Sequence, residues 1–276
     1  MGLYRLLKNK SKLVRKRARH RLSIFWKYYR HRAQKEPIFI LTTRRTGSNL
    51  LLEYLNSVPG VSFAPEILNQ SMFYGVRGRF ITKRAVLRHI RHSVNACAQS
   101  LCGAKLIRIH LEKHRITPED LRRLYPNARF IILYRRSLLE QFVSLRMAEA
   151  SDRWQSTQMF EKPTQVKVDV LELKEFCRNT RQFYEGLWQR QWLKERAVYL
   201  SYEELALDAQ STFNERIFPF LGLAPSKVVS HLRKQNTQQL NKAVLNYQDI
   251  EPLVNESWLW YSIPGNALPM LLLKTA

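Results

Sequence analysis

The chain has 276 residues, with 46 Lys+Arg against 22 Asp+Glu, a formal net charge of +24, 45% apolar residues and 11% aromatics. That length and apolar share suffice to bury the core of one large domain, with or without an appendage, and exclude a disordered polycation. Apolar runs such as Phe130-Ile-Ile-Leu-Tyr134 fall far short of the ~20 residues a membrane-spanning helix needs. Three cysteines, Cys97, Cys102 and Cys177, form no CxxC pair or Cys/His cluster, which argues against a disulfide framework or a zinc site and fits a reducing compartment, the cytoplasm.

Residues 1–36 carry 13 Lys/Arg against one acid, Glu36, interleaved with Leu6, Leu7, Leu22, Phe25, Trp26, Tyr28 and Tyr29. No continuous apolar stretch of the signal-peptide kind is present. Such a segment suits either a flexible basic arm or one lying in the headgroup region of an anionic bilayer, at the inner face of a membrane. Nucleic acid is disfavoured because no recognisable nucleic-acid module accompanies the charge. The expected division is an arm, 1–36, and a folded domain, 37–276.

After Pro37, Ile38-Phe-Ile-Leu-Thr-Thr43 reads as a buried strand, Arg44 to Asn49 as a polar turn, and Leu50 to Asn56 as a helix closed by Pro59-Gly60. Ala104 to His110 reads as a second buried strand. Thr117-Pro118-Glu119-Asp120 announces a helix by its capping residue, its proline at the first position and its early acids. Arg129 to Arg135 is a third strand, followed by a helix that Ser137 caps and that runs to about Ala150. A polar segment, 152–168, is the expected mobile loop. An amphipathic helix near 169–195, a strand Ala197 to Ser201 and a helix ending near Leu221-Gly222 complete the pattern. Short strands, apolar on both faces and alternating with helices, predict an α/β fold with a parallel sheet covered on both sides.

In such sheets ligands gather at the carboxyl ends of strands, where a following helix presents free N–H groups and the positive end of its dipole. The turn Thr43 to Asn49 has that place. Gly47 permits close backbone approach, Thr46, Ser48 and Asn49 offer side-chain hydrogen bonds, and Arg44 and Arg45 add charge, so the turn suits a phosphate-like anion. A nucleoside-triphosphatase loop needs a second glycine and a lysine that this turn lacks, which disfavours ATP hydrolysis.

Arg45-Thr46-Gly47-Ser48-Asn49-Leu50 resembles the 5′-phosphosulfate loop of the sulfotransferase superfamily. Arg136 and Ser144, at the end of a strand and eight residues on in a helix, are similar to that family's 3′-phosphate motif. Leu200-Ser-Tyr-Glu-Glu-Leu205 with Phe218-Pro-Phe-Leu-Gly-Leu223 resembles the strand-helix element closing many of its cores. The match covers roughly residues 37–225 and most resembles the bacterial-type and carbohydrate sulfotransferases. It implies a P-loop-like parallel sheet flanked by helices and 3′-phosphoadenosine 5′-phosphosulfate as donor without a metal. A hydroxyl of a carbohydrate or lipid-linked molecule is the implied acceptor. By the same resemblance Arg44, Arg45, Thr46, Gly47, Ser48, Asn49 and Leu50 hold the 5′ end of the donor, and Arg136 and Ser144 the 3′ end. Arg45 acts by charge and hydrogen bonding only, since arginine does not give up its proton.

For the base that takes the hydroxyl proton, Glu66 occupies a place similar to that of a catalytic glutamate in several sulfotransferases. His110, in Arg108-Ile109-His110, is the alternative, resembling a Lys-x-His of the cytosolic branch, and Lys105 shares its strand. The C-terminal Arg-Lys-Gly stretch of that branch is missing, with Arg233-Lys234 as a candidate substitute. Tyr74, Trp154 and Tyr247 are candidates for stacking on sugar rings. Two other classes compete: a P-loop-like nucleotide-binding kinase and a non-enzymatic basic membrane-binding protein.

Overall fold

The computed structural model describes residues 36–69, 82–151, 165–232 and 239–263. Residues 1–35 of the basic arm, 152–164 of the expected loop, and Tyr74, Trp154, Arg233 and Lys234 lie outside these. Five strands are described: β1 (Ile38–Thr42), β2 (Val61–Ala64), β3 (Leu101–Ile107), β4 (Arg129–Tyr134) and β5 (Ala197–Ser201). They form a five-stranded sheet in the order β2-β3-β1-β4-β5. Two compact units divide the chain, one of Met1–Ile40 with Pro59–Arg129 and one of Leu41–Val58 with Phe130–Ala276.

In the first unit β2 pairs in parallel with β3, Val61 opposite Leu101 through Ala64 opposite Ala104. Gly103 is required there. A Cβ at this position would lie 2.0 Å from the Ile38 carbonyl oxygen and 2.5 Å from the Phe63 ring. Helix α2 (Lys83–Asn95) buries Val86, Ile90 and Val94, one face at helical spacing, and Thr82 caps it by accepting from Ala85 N–H. Helix α3 (Arg108–Lys113) follows β3 directly. The strand expected to reach His110 therefore ends at Ile107. An ion pair one helical turn apart, Arg108 Nε to Glu112 Oε1 at 2.6 Å, favours the helix over continued strand. Helix α4 (Pro118–Leu124) has the expected start, a capping box in which Thr117 accepts from Asp120 N–H and the Asp120 carboxylate accepts from Thr117 N–H.

In the second unit β4 and β5 pair in parallel from Phe130 opposite Ala197 to Tyr134 opposite Ser201. Helix α1 (Ser48–Ser57) springs from the turn after β1. Ser137 accepts from Glu140 N–H at the start of α5 (Leu138–Ser151). The long helix expected over 169–195 is divided: α6 (Val170–Trp188), capped by Asp169, stops before an extended Arg190, and α7 (Gln191–Lys194) resumes it. Helix α8 (Tyr202–Leu207) opens with a second capping box, Ser201 with Glu204. Of the polar segment 152–168, the described end is held in place: Val166 is buried and bridges to Val244.

Candidate active site

The turn after β1 lies wholly in the second unit and is fixed from beneath. Thr42 Oγ1 donates to the Leu133 carbonyl at 2.8 Å and shares a 2.5 Å hydrogen bond with Thr46 Oγ1, whose hydroxyl also reaches the Thr43 carbonyl. Thr46 is fully buried, so its hydroxyl shapes the turn and its backbone is what remains for a ligand. Tyr184 of α6 accepts from Thr43 N–H at 3.1 Å and donates to the Leu133 carbonyl at 2.8 Å. From α5, Gln141 Nε2 donates to the Thr43 hydroxyl at 2.8 Å and to the Arg44 carbonyl at 2.6 Å.

Held in this way, the turn takes two left-handed residues, Arg45 at φ 63° and Gly47 at φ 75°. The former costs on the order of 1 kcal/mol for a residue with a side chain. Gly47 stands at the N-cap of α1 and supplies no side-chain cap, leaving the first N–H groups of a ten-residue helix without that partner. A side chain at 47 would also collide with the Tyr202 ring, since a Cβ there would lie 2.4 Å from the nearest ring carbon. The Arg135 guanidinium sits over that ring, 4.7 Å from its centre.

Arg45 donates from Nε to Ser144 Oγ at 3.0 Å. Burial, and after it the positive charge of Arg135, pull Arg45 below the usual guanidinium value. Arg45 thus carries a disfavoured charge in the turn before a helix start that has no side-chain cap, while Arg135 is met by Glu140. Arg44 is turned to Glu149 at 3.4 Å.

The strand-end pair Arg135-Arg136 is anchored by α8. Glu203 accepts from the backbone N–H groups of Arg136 and Ser137 at 3.0 and 3.3 Å, and Glu140 meets Arg135 at 2.6 Å. Arg136 is buried, 3.8 Å from Glu204, whose other oxygen meets Arg216 at 2.5 Å. Ser144 thus lies with Arg45, and Arg136 with Glu204. Tyr202, Gln141 and Tyr184 contact the turn and are residues that the sequence reading misses. Tyr202 has a signal, the Ser201-Tyr202-Glu203-Glu204 capping pattern at a strand end, whereas Tyr184 is one of many apolar positions on α6.

Glu66 and His110 belong to the first unit. Glu66 follows β2 and faces Lys105 in the middle of β3, whose side chain is 1% exposed; Lys105 Nζ lies 3.1 Å from Oε1. Asn69 Nδ2 donates to the other carboxylate oxygen at 2.8 Å. Burial pushes Glu66 up, but the Lys105 charge and these hydrogen bonds outweigh it and hold the carboxyl below its ordinary value. His110, on α3, is lowered by burial, with the Glu66 charge opposing, and is a neutral imidazole at pH 7. Its Nδ1 is buried with no hydrogen-bond partner among the described residues. Tyr247 stands in the second unit on a short helix, Tyr247–Ile250. Among the described residues no group of His, Cys, Asp and Glu is arranged to hold a metal, and no helix is long and apolar enough to cross a membrane.

A protein-family model described as the sulfotransferase family matches residues 37–226. The chain belongs to the sulfotransferase family. Its activity is therefore sulfuryl transfer to a hydroxyl-bearing acceptor, and the donor general to this family is 3′-phosphoadenosine 5′-phosphosulfate. Among solved structures this sulfotransferase is similar to one from Alicyclobacillus acidocaldarius, at 16% identity over 74% of this chain and 87% of the other, TM-score 0.48. It is similar also to sulfotransferase STF1 from Mycobacterium tuberculosis H37Rv, at 14% identity over 80% and 77%, TM-score 0.46. A third is mouse sulfotransferase SULT7A1 complexed with PAP, at 11% identity over 71% of this chain and 62% of the other, TM-score 0.43. No curated protein matches the chain.

Proposed function

We propose that this sulfotransferase moves the sulfuryl group of 3′-phosphoadenosine 5′-phosphosulfate to a hydroxyl of a carbohydrate or lipid-linked acceptor. The observation that carries the donor assignment is Arg45, its charge disfavoured by burial and by Arg135, in the turn that leads into the start of α1, where no side chain caps the helix. The donor set is cationic and rich in N–H groups, which fits a nucleotide with an anion at each end. When bound, the donor supplies an activated sulfuryl group on a good leaving phosphate. Residues Arg44 to Leu50 hold its 5′ end, with Arg45 placing charge on the oxygens where negative charge grows. Arg136 and Ser144 serve the 3′ end. No metal is required of the protein.

Glu66 is the base for the acceptor hydroxyl, since Lys105 keeps it ionised at neutral pH. A second reading is favoured by one observation: His110 is neutral and its buried Nδ1 has no partner among the described residues, so an imidazole lone pair is available for the same task. Residues 1–36, by their charge and aromatic content, form an arm distinct from the domain 37–276 and attach it to an anionic membrane surface on the cytoplasmic side.

Calorimetry with adenosine 3′,5′-bisphosphate and with adenosine 5′-monophosphate tests the donor. The bisphosphate binds at least about tenfold more tightly if a second anion-binding end exists, the worth of one further charged contact. Equal affinities, or magnesium-dependent ATP binding in their place, return the chain to the kinase-like class.

A further inference from the structure

Between Glu66 and Glu112 the chain has no acidic residue, while Arg77, Arg79, Lys83, Arg84, Arg88, Arg91, Lys105 and Arg108 supply positive charge. The described part of this stretch places Arg84, Arg88 and Arg91 on the exposed side of α2, at i, i+4 and i+7. They form one stripe about 10 Å long. Lys83 and Arg84 occupy the first turn, the positive end of the helix dipole, where acids stabilise and cations do not, and no acid is there. Helix α4 packs against α2 and adds exposed Arg122 and Arg123. Its Asp120 is buried, met by Lys83 at 2.6 Å and by Arg123 at 3.8 Å. Burial, then the charges of Arg88 and Arg91, lower His92, a sign of the positive potential over this face. The Asp120 pair accounts for Lys83, but among the described residues no ion pair accounts for Arg84, Arg88 and Arg91 standing together on one exposed side.

We infer that the arginine face of α2 and α4 docks an acidic glycan, a sugar chain bearing carboxylates or sulfates, as the acceptor. The guanidinium forks match such oxyanions in pairs, in a way that lysines do not. A bilayer is the poorer fit, because among the described residues neither α2 nor α4 exposes a large apolar side chain to enter it. The inner side of α2 is tied to the catalytic segment: His89 Nε2 donates to the Ile67 carbonyl at 2.9 Å, one residue beyond Glu66. The stripe and the segment that bears the proposed base are thus carried by one helix, the stripe on its exposed side and the segment held from its inner side. The inference rests on the reading of Glu66 as that base and names the class of acceptor it serves.

The test uses the full chain and the variant Arg84→Gln/Arg88→Gln/Arg91→Gln, with oligosaccharides of hyaluronan and chondroitin sulfate as probes and neutral dextran of equal length as control. The unmodified protein binds the acidic oligosaccharides in a salt-dependent way and ignores dextran. The triple variant loses about tenfold in that affinity, with melting temperature and affinity for adenosine 3′,5′-bisphosphate unchanged. A single Arg88→Glu variant weakens binding in the same direction. The docking face is overturned if neither acidic glycan binds or if the triple variant binds them as before. It is equally overturned if the substitutions abolish binding only to phosphatidylserine vesicles or to a DNA oligonucleotide. Glu66→Gln keeps glycan affinity while losing transfer when both readings hold. If it keeps transfer as well, the base assignment falls and the docking face stands.

Discussion

Two regions of this sulfotransferase use buried charge in opposite ways. At the turn after β1, Arg45 is buried and destabilised by a like charge, Arg135, and the hydrogen bonds of Thr42, Thr43, Thr46, Gln141 and Tyr184 serve to hold the backbone rather than to quench that charge. Around Glu66 the opposite holds: a cation with 1% exposure is matched to a carboxylate whose second oxygen is taken by Asn69. The first arrangement brings two like charges together, whereas the second pairs opposite charges. The first therefore favours an added negative charge, and the second keeps a single side chain in a fixed charge state and orientation.

Removing one partner of the opposite-charge pair is expected to have the largest effect. Lys105→Met leaves the Glu66 carboxylate buried beside apolar surface, which costs about 3 kcal/mol, read as a lower urea midpoint. Adding Glu66→Gln to Lys105→Met recovers most of the loss, because the uncompensated charge is gone. If the single and double variants are equally unstable, the pair is not the source of the stability and the contrast between the regions fails.

The like-charge arrangement behaves differently. Arg45→Ala relieves the repulsion with Arg135 and gives up the hydrogen bond to Ser144, so the stability of the free protein changes by less than about 1 kcal/mol. Turnover falls by about 10²–10³, the effect of losing a charged donor aimed at developing negative charge, and affinity for adenosine 3′,5′-bisphosphate falls with it. A loss of stability together with unchanged nucleotide affinity would show that Arg45 is a structural residue.

The parts legible in the sequence are those whose cause is local. The strands at Ile38 and Arg129, the caps at Thr117 and Ser137, and the glycine turn at 44–49 follow from residues within a few positions of each other. Where the cause is distant, the sequence is silent. Tyr184 clamps Thr43 across 141 positions, and nothing in its own helix distinguishes it from its apolar neighbours. Strand β2 has four residues, and α2 shows its buried positions only four apart in a run dominated by basic residues. His110 reads as a strand residue because Ile107 and Ile109 alternate as strand residues do, while the Arg108–Glu112 pair, one turn apart, is the helix signal. The ion pair of Glu66 with Lys105 joins two segments that only the fold brings together.

The smallest effect separates the two candidate bases, and it comes from pH. A base acts only when deprotonated, so the rate falls about tenfold per pH unit below its pKa. Glu66 is held below the ordinary carboxyl value of about 4.3, so with Glu66 as base the rate at saturating acceptor stays level down through that range. With His110 as base the fall lies below the ordinary imidazole value of about 6.5, since burial lowers the ring while the neighbouring Glu66 charge opposes that lowering. The sign of a second change is fixed by the same contact. In Glu66→Gln the opposing negative charge is gone and His110 drops further, so a His110-dependent profile shifts its acid limb to lower pH while keeping most of its turnover. An acid limb that stays in place, with turnover lost at every pH, assigns the proton to Glu66.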